Sequence, residues 1–316
     1  MDVAEGKSSV FGIKQRLARA GIVPAPDGIR KVADGKVMLT PGVHQNVDPA
    51  KWCEHLYGLP LSRWERLRGK SFWITGAGTG YGRSMAVALA SAGAHTLLSG
   101  RRREKLIETV DEMRTLSIST ANCHVIQCDI TEPRDVREAC EKVAGLNASL
   151  YGLINSAALP SSGKPYPLQQ DTWEEWDRLI RTNVTAHWFL TREIFPHMCK
   201  GGEPRVLFLT SEAGWAPTPG FGPYNVTKSA LNSLAASMAA EYASSFPDLD
   251  VQVNTLVPGE AKTEMNQDSD ESPYSIVSMA MMLLSHPKGG PNGKFFHRDG
   301  RHLRFAYSEP YGRALI

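Results

Sequence analysis

Tyr224 and Lys228 stand four residues apart in Tyr224-Asn225-Val226-Thr227-Lys228, a spacing that puts both side chains on one face of a helix. A free phenol titrates near 10, so acid/base work around neutrality needs a depression of about three units, roughly 4 kcal/mol in favour of the phenolate. A nearby ammonium in a partly desolvated site supplies charge of the right sign. Ser211 follows the apolar run Val206-Leu207-Phe208-Leu209-Thr210, which places its hydroxyl at the C-terminal lip of a strand. Open α/β sheets bind ligands at that lip, and a hydroxyl there can hold a substrate oxygen as charge develops on it. Asn183, within Arg181-Thr182-Asn183-Val184, is a poor helix former inside a helical pattern. It either bends the helix or holds a water that passes protons to Lys228. Each of these features recurs by chance when taken alone.

A second cluster suits a dinucleotide. Thr75-Gly76-Ala77-Gly78-Thr79-Gly80-Tyr81-Gly82-Arg83 follows the first apolar run and opens an alanine-rich helix. Glycines there allow a tight turn and let backbone N–H groups reach a pyrophosphate, to which the helix N-terminus adds partial positive charge. An ordinary strand-to-helix turn is the bland alternative. The second strand ends in Leu97-Leu98-Ser99-Gly100-Arg101-Arg102-Arg103, without the acid that an NAD site places against the ribose 2′-hydroxyl. Arginines at the positive end of a helix fit an external anion, which makes Arg101 and Arg102 candidates for the 2′-phosphate of NADP. A solvated basic surface is the other reading.

The elements that must carry these groups begin near Lys70. From there short apolar runs alternate with helical stretches, the pattern of βαβ units feeding a parallel sheet. Strands are expected at Ser71 to Thr75, His95 to Ser99, His124 to Cys128, Leu150 to Asn155, Arg205 to Thr210, Val251 to Leu256 and Lys294 to His297. Helices are expected at Arg83 to Ala92, Arg103 to Leu116, Pro133 to Val143, Thr172 to Lys200 and Tyr224 to Ser245. Residues 1–66 are dense in Pro and Gly punctuation and read as an extension of unknown role, with one amphipathic helix from Pro49 to Leu56. Residues 67–316 then form a single catalytic domain.

Composition narrows the classes. Lys plus Arg number 35 against 33 acids, a formal charge of +2, which gives no reason to expect nucleic acid. The five cysteines and nine histidines lack ligand spacing, so no metal is expected. No apolar run reaches the length of a membrane-spanning helix and no secretory leader is evident, so a cytoplasmic protein without membrane association is expected.

Taken together, residues from about Lys70 to Gly300 resemble the short-chain dehydrogenase/reductase family. Thr75, Gly76, Gly80 and Gly82 match its TGxxxGxG turn, and Asn155-Ser156-Ala157-Ala158 occupies its NNAG position. Asn183, Ser211, Tyr224 and Lys228 match its catalytic tetrad in order. Asp129, followed by Ile130, matches the acid near the adenine. Pro258, Gly259 and Thr263 match the segment beside the nicotinamide, and Asp299-Gly300 the DG after the last strand. The resemblance implies a doubly wound Rossmann-type α/β sheet of about seven strands with helices on both faces. It also implies hydride transfer between a carbonyl or alcohol and a nicotinamide cofactor, for which Arg101 and Arg102 favour NADP(H) over NAD(H). Tyr224 would exchange the proton, Ser211 steady the oxygen, and Lys228 hold the nicotinamide ribose and lower the tyrosine pKa. Ser156, Ala158 and Tyr81 depart from the usual residues, and Tyr81 is expected to narrow the nicotinamide pocket. Trp215 is expected to wall the substrate pocket, and the acidic segment after Thr263 to form a small polar cover. Small residues on the two long helices (Ala230, Ala235, Ala236, Ala239, Ala240) suggest a homodimer or homotetramer. Two other classes stay open: a nucleotide-sugar epimerase or dehydratase relative, and a non-catalytic NADP-binding sensor.

Overall fold

The structure, a computed structural model, describes residues 59–303 apart from 147, 148 and 217. The helix expected from Pro49 to Leu56 lies outside the described residues.

Strands β1 (Ser71–Thr75), β2 (His95–Gly100), β3 (Cys123–Gln127), β4 (Gly152–Asn155), β5 (Arg205–Leu209), β6 (Gln252–Val257) and β7 (Lys294–His297) form one parallel sheet. An eighth strand, β8 (His302–Leu303), pairs antiparallel with β7 and was not anticipated. The order is β3-β2-β1-β4-β5-β6-β7-β8, so the chain reverses direction between β1 and β4 and opens a crevice at the strands' C-terminal ends there.

Alternating side chains of β1 feed two cores. Phe72 and Ile74 join an apolar cluster on one face and Trp73 joins a second on the other. Burial on both faces explains why these strands read as continuous apolar runs. The first face is covered by α1 (Leu61–Glu65), α2 (Gly80–Ser91), α3 (Arg103–Thr115) and a later helix, α9 (Val277–Leu284). Trp64 and Leu67 are buried there, and Arg63 donates to Ser285 Oγ at 3.0 Å, fastening α1 to the end of α9. The second face carries α4 (Pro133–Leu146), α7 (Ala186–Cys199) and α8 (Pro223–Ser245). Two shorter helices, α5 (Pro167–Gln170) and α6 (Trp173–Ile180), precede α7.

The helix expected to run unbroken from Thr172 to Lys200 is interrupted. A π-helical turn at Arg181–Thr185 separates α6 from α7. Such turns insert a residue into the helical ladder and are common at functional sites. The cause lies at Asn183, whose side chain bonds the backbone of Leu159 outside the helix, through Oδ1 from Leu159 N at 2.8 Å and through Nδ2 to Leu159 O at 3.0 Å. Among the described residues no helix is long and apolar enough to cross a membrane, and no group of acids, cysteines and histidines could hold a metal ion.

Candidate active site

Tyr224 and Lys228 lie in the first two turns of α8, which begins at Pro223 with proline in the first helical turn, where its missing N–H costs no hydrogen bond. Ser211 leaves β5 and caps the 3₁₀ turn Glu212–Gly214, its Oγ accepting from Ala213 N at 3.2 Å. Thr210 Oγ1 donates to Lys228 O at 3.1 Å, so strand and helix are tied directly beneath these side chains. The Ser211 hydroxyl faces the Tyr224 phenol closely enough to favour its anionic form. Lys228 is buried, and its Nζ donates to Leu209 O at 3.0 Å and lies 5.4 Å from the Tyr224 ring centroid. Three of the four sequence-predicted catalytic groups therefore meet in one crevice.

The electrostatics differ from the expectation. Burial pushes the Tyr224 phenol up to about 12; the Ser211 hydrogen bond opposes that rise and the Glu212 charge adds to it. Burial also brings Lys228 down to about 8. Burial, and not the depression expected from Lys228, therefore dominates at Tyr224, with Ser211 and Glu212 making the remaining contributions.

Asn183 does not point at Lys228. Beside its two bonds to Leu159, its Nδ2 donates to Thr227 Oγ1 at 3.3 Å, which in turn donates to Tyr224 O at 2.8 Å. The side chain thus clamps the segment after β4 against the helix that carries the tyrosine. Of the two roles weighed for it, the bend is present, and its amide is engaged with protein rather than reaching toward the lysine.

At the nucleotide end, Gly76 has φ +64° and a Cβ there would lie 2.9 Å from Ala157 backbone atoms, so the turn and the segment after β4 touch. A Cβ on Gly82 would lie 2.2 Å from Gly76 O. A Cβ on Gly78 would lie 2.8 Å from the Lys105 side chain. Thr79 precedes α2 without a side-chain capping bond, which leaves the helix's first N–H groups for an external acceptor. An anionic pyrophosphate fits that donor set.

Two residues expected at the cofactor are instead beneath the crevice floor. Thr75 is fully buried; its Oγ1 donates to Ile154 O at 3.3 Å and accepts from Ser156 N at 3.0 Å and Ala157 N at 3.2 Å. Asn155 is buried, with Nδ2 donating to Thr191 Oγ1 at 3.0 Å. Thr75 thus fixes the turn after β4, Asn155 ties β4 to α7 through Thr191 and His187, and both side chains are engaged with protein partners. Asp129 accepts from Thr131 N at 3.0 Å and from its hydroxyl at 2.7 Å, and Ile130 is buried behind it. Tyr81 donates to Gly259 O at 2.8 Å, so it closes the glycine turn against the Pro258-Gly259 segment. The methyl of Thr263 lies 3.1 Å from a Cβ placed on Gly80. Arg101 is exposed, whereas Arg102 is paired with Glu264 at 2.6 Å. Trp215 is 36% exposed and so is not a core residue.

Several residues carried no readable signal. His187 is fully desolvated below Lys228, with Nδ1 3.1 Å from Asn155 Oδ1 and Nε2 2.7 Å from Ala157 O; burial, then the lysine charge, drives it down to about 4. His297 lies between Glu212 at 3.2 Å and Asp299 at 2.9 Å. These acids raise its pKa against the effect of burial, and its charge holds both carboxyls low, Asp299 at about 2. Arg298 donates to Glu260 O at 2.8 Å, to Ser275 Oγ at 2.6 Å and to the Glu271 carboxylate, pinning the segment after Thr263. The acidic stretch is thus partly neutralised by arginines rather than a free polar cover.

Residues 70–273 match the short chain dehydrogenase family. Among curated proteins, the chain is similar to dehydrogenase/reductase SDR family member 4 of Homo sapiens, 32% identical over 221 residues, covering 67% of this chain and 75% of that protein. The Sus scrofa protein of the same name is 29% identical over 236 residues, covering 72% and 80%. Among solved structures, a short chain dehydrogenase of Shigella flexneri 2a complexed with NADP superposes with a TM-score of 0.67 at 21% identity, covering 74% of this chain and 99% of that one.

Proposed function

The chain belongs to the short-chain dehydrogenase/reductase family and is an NAD(P)-dependent oxidoreductase of small molecules; from that premise we propose that it interconverts a carbonyl and an alcohol with NADP(H), Tyr224 giving and taking the proton. The observation that carries this reading is the meeting of the Ser211 hydroxyl with the Tyr224 phenol above buried Lys228. In reduction, Tyr224, its pKa raised by burial, carries a proton at neutral pH and can donate it to the carbonyl oxygen, which Ser211 steadies. Lys228, on the same helix face, stands ready for the ribose of the cofactor. When bound, the nicotinamide supplies or accepts the hydride, and its oxidised ring adds a positive charge. Asn183 acts as a positioning residue through Leu159 and Thr227.

Preference for NADP(H) is supported by Arg101 and Arg102 at the end of β2, where position 100 is glycine and not an acid. The fold holds NADP in the Shigella chain. The contacts proposed for the cofactor are the N–H groups of Gly78, Thr79, Gly80, Tyr81 and Gly82, the Asp129-Ile130 and Ala157 backbones, and Pro258, Gly259 and Thr263. A homodimer or homotetramer is part of the same reading, supported by Trp188 at 40% and Val226 at 42% exposed on α7 and α8; a monomer by light scattering at micromolar concentration would contradict it. So are a cytoplasmic location, tested by fractionation, and a catalytic domain over 67–316.

The purified full chain should oxidise NADPH in the presence of some of a panel of aldehydes and ketones. Binding without turnover across chemically diverse compounds would instead indicate a sensor. Replacing Gly100 by Asp together with Arg101 by Ala should shift preference toward NAD(H), and an unchanged ratio would show that other residues read the phosphate.

A further inference from the structure

The Arg102–Glu264 pair joins two regions that the sheet keeps well apart. Arg102 caps α3 just after β2, while Glu264 follows β6; β1, β4 and β5 stand between those strands. The segment carrying Glu264 must therefore arch over the strands' C-terminal ends. Its course is fixed by backbone bonds: Lys262 N donates to Glu271 O at 2.8 Å, and Thr263 and Asn266 exchange bonds of 2.9 and 3.1 Å. It starts at Pro258-Gly259, which Tyr81 holds, and runs past Gly80, where the Thr263 methyl packs. It ends at Arg102, where Nη2 donates to Glu264 Oε2 at 2.6 Å and Nη1 to Oε1 at 3.4 Å. A dinucleotide laid along the proposed contacts follows the same path, from the nicotinamide end at Gly259 to the adenosine end at Arg102.

A guanidinium fork recognises carboxylate and phosphate oxygens with the same geometry, and a phosphate monoester carries more charge. We propose that Glu264 is a cofactor-specificity residue: its carboxylate occupies Arg102 where a 2′-phosphate would bind, NADP(H) displaces it, and NAD(H) leaves the pair closed. Displacement frees the outer end of the 258–271 segment, so the presence of the 2′-phosphate is communicated to the chain beside Gly259 and Thr263. The proposal rests on the NADP(H) reading above.

Titration calorimetry of the full chain with 2′,5′-ADP and with 5′-AMP tests it without turnover. Glu264→Gln should tighten 2′,5′-ADP about fivefold, ~1 kcal/mol at about 1.4 kcal/mol per factor of ten, the upper range of an exposed ion pair. Binding of 5′-AMP should change less than about twofold, because nothing displaces the pair. In an Arg102→Gln background the same Glu264 substitution should shift 2′,5′-ADP by less than about twofold. Unchanged 2′,5′-ADP affinity in Glu264→Gln, or equal tightening with and without Arg102, would overturn the displacement. If instead neither Arg101→Gln nor Arg102→Gln weakens 2′,5′-ADP relative to 5′-AMP, the NADP(H) reading fails first and takes this one with it.

Discussion

Replacing Lys228 by Met should abolish turnover and yet stabilise the fold. Lys228 is 3% exposed, and burial lowers its pKa from 10.5 to about 8. Below pH 8 the folded protein carries a poorly hydrated ammonium that the unfolded chain hydrates freely. A drop from 10.5 to about 8 corresponds to about 3 kcal/mol of instability at neutral pH, at 1.36 kcal/mol per unit. Methionine fills nearly the same volume without charge, but Leu209 O loses the donor it has at 3.0 Å, which costs ~1 kcal/mol. The net gain at pH 7 is about 2 kcal/mol, or a Tm increase of roughly 4 to 8 °C for a domain of this size. Between pH 8 and 10.5 the unfolded lysine binds a proton that the folded one has lost, so wild-type stability rises through that window and the advantage of the variant disappears. Urea unfolding of both proteins from pH 7 to 10 measures this, since other groups titrate alike in the two. A variant no more stable than wild type at pH 7, or a gap constant with pH, would refute the reasoning.

Three other substitutions probe two parts of the site and the opposite end of the sheet. His187, held neutral by burial with a pKa near 4 rather than 6.5, makes the wild type lose stability as pH falls from 6.5 to 4, by up to about 3 kcal/mol; His187→Thr should flatten that limb, and equal slopes in acid unfolding would count against it. Gly82→Ala puts a methyl 2.2 Å from Gly76 O, where only backbone can give way, so cofactor affinity measured by fluorescence should fall at least about tenfold, consistent with a strain of 1–3 kcal/mol; an unchanged Kd would show that the turn yields. Asp250→Ala strands the Arg205 guanidinium, 1% exposed and paired at 2.5 Å, and should cost about 3–5 kcal/mol in denaturant unfolding, whereas a loss under about 1 kcal/mol would mean that the carbonyls of Asp250, Pro204 and His286 suffice.

The parallel sheet was legible because β1, β4 and β5 are buried on both faces and so appear as plain apolar runs. Ser211, Tyr224 and Lys228 were legible because each sits one short step from a recognisable strand end or helix start. Thr75 and Asn155 were placed in the right region but on the wrong side of its surface, since spacing locates a residue along a strand and does not say whether its side chain bonds protein or ligand. Glu264 and Arg102 are 162 positions apart, and His297 and Glu212 are 85 apart. Pairings of that separation depend on how loops fold over the sheet, and no local periodicity encodes them. The short strand β8 exists through two register partners on β7, too brief to leave an alternating pattern.

The π-helical turn at Arg181–Thr185 contains one residue more than an α-helical path would use. The wide turn absorbs that surplus, so α6 and α7 stay in the phase of a single helix while the backbone bulges locally. Trimming one residue there would let the two helices run on as an ordinary α-helix and leave α7 where it is. What would go is the bulge from which Asn183 reaches Leu159 while His187, one turn on, holds Asn155 and Ala157. A shortened relative would keep its helices and lose that clamp, which makes the length of this segment, more than its composition, the quantity that ties the turn after β4 to the helix behind it.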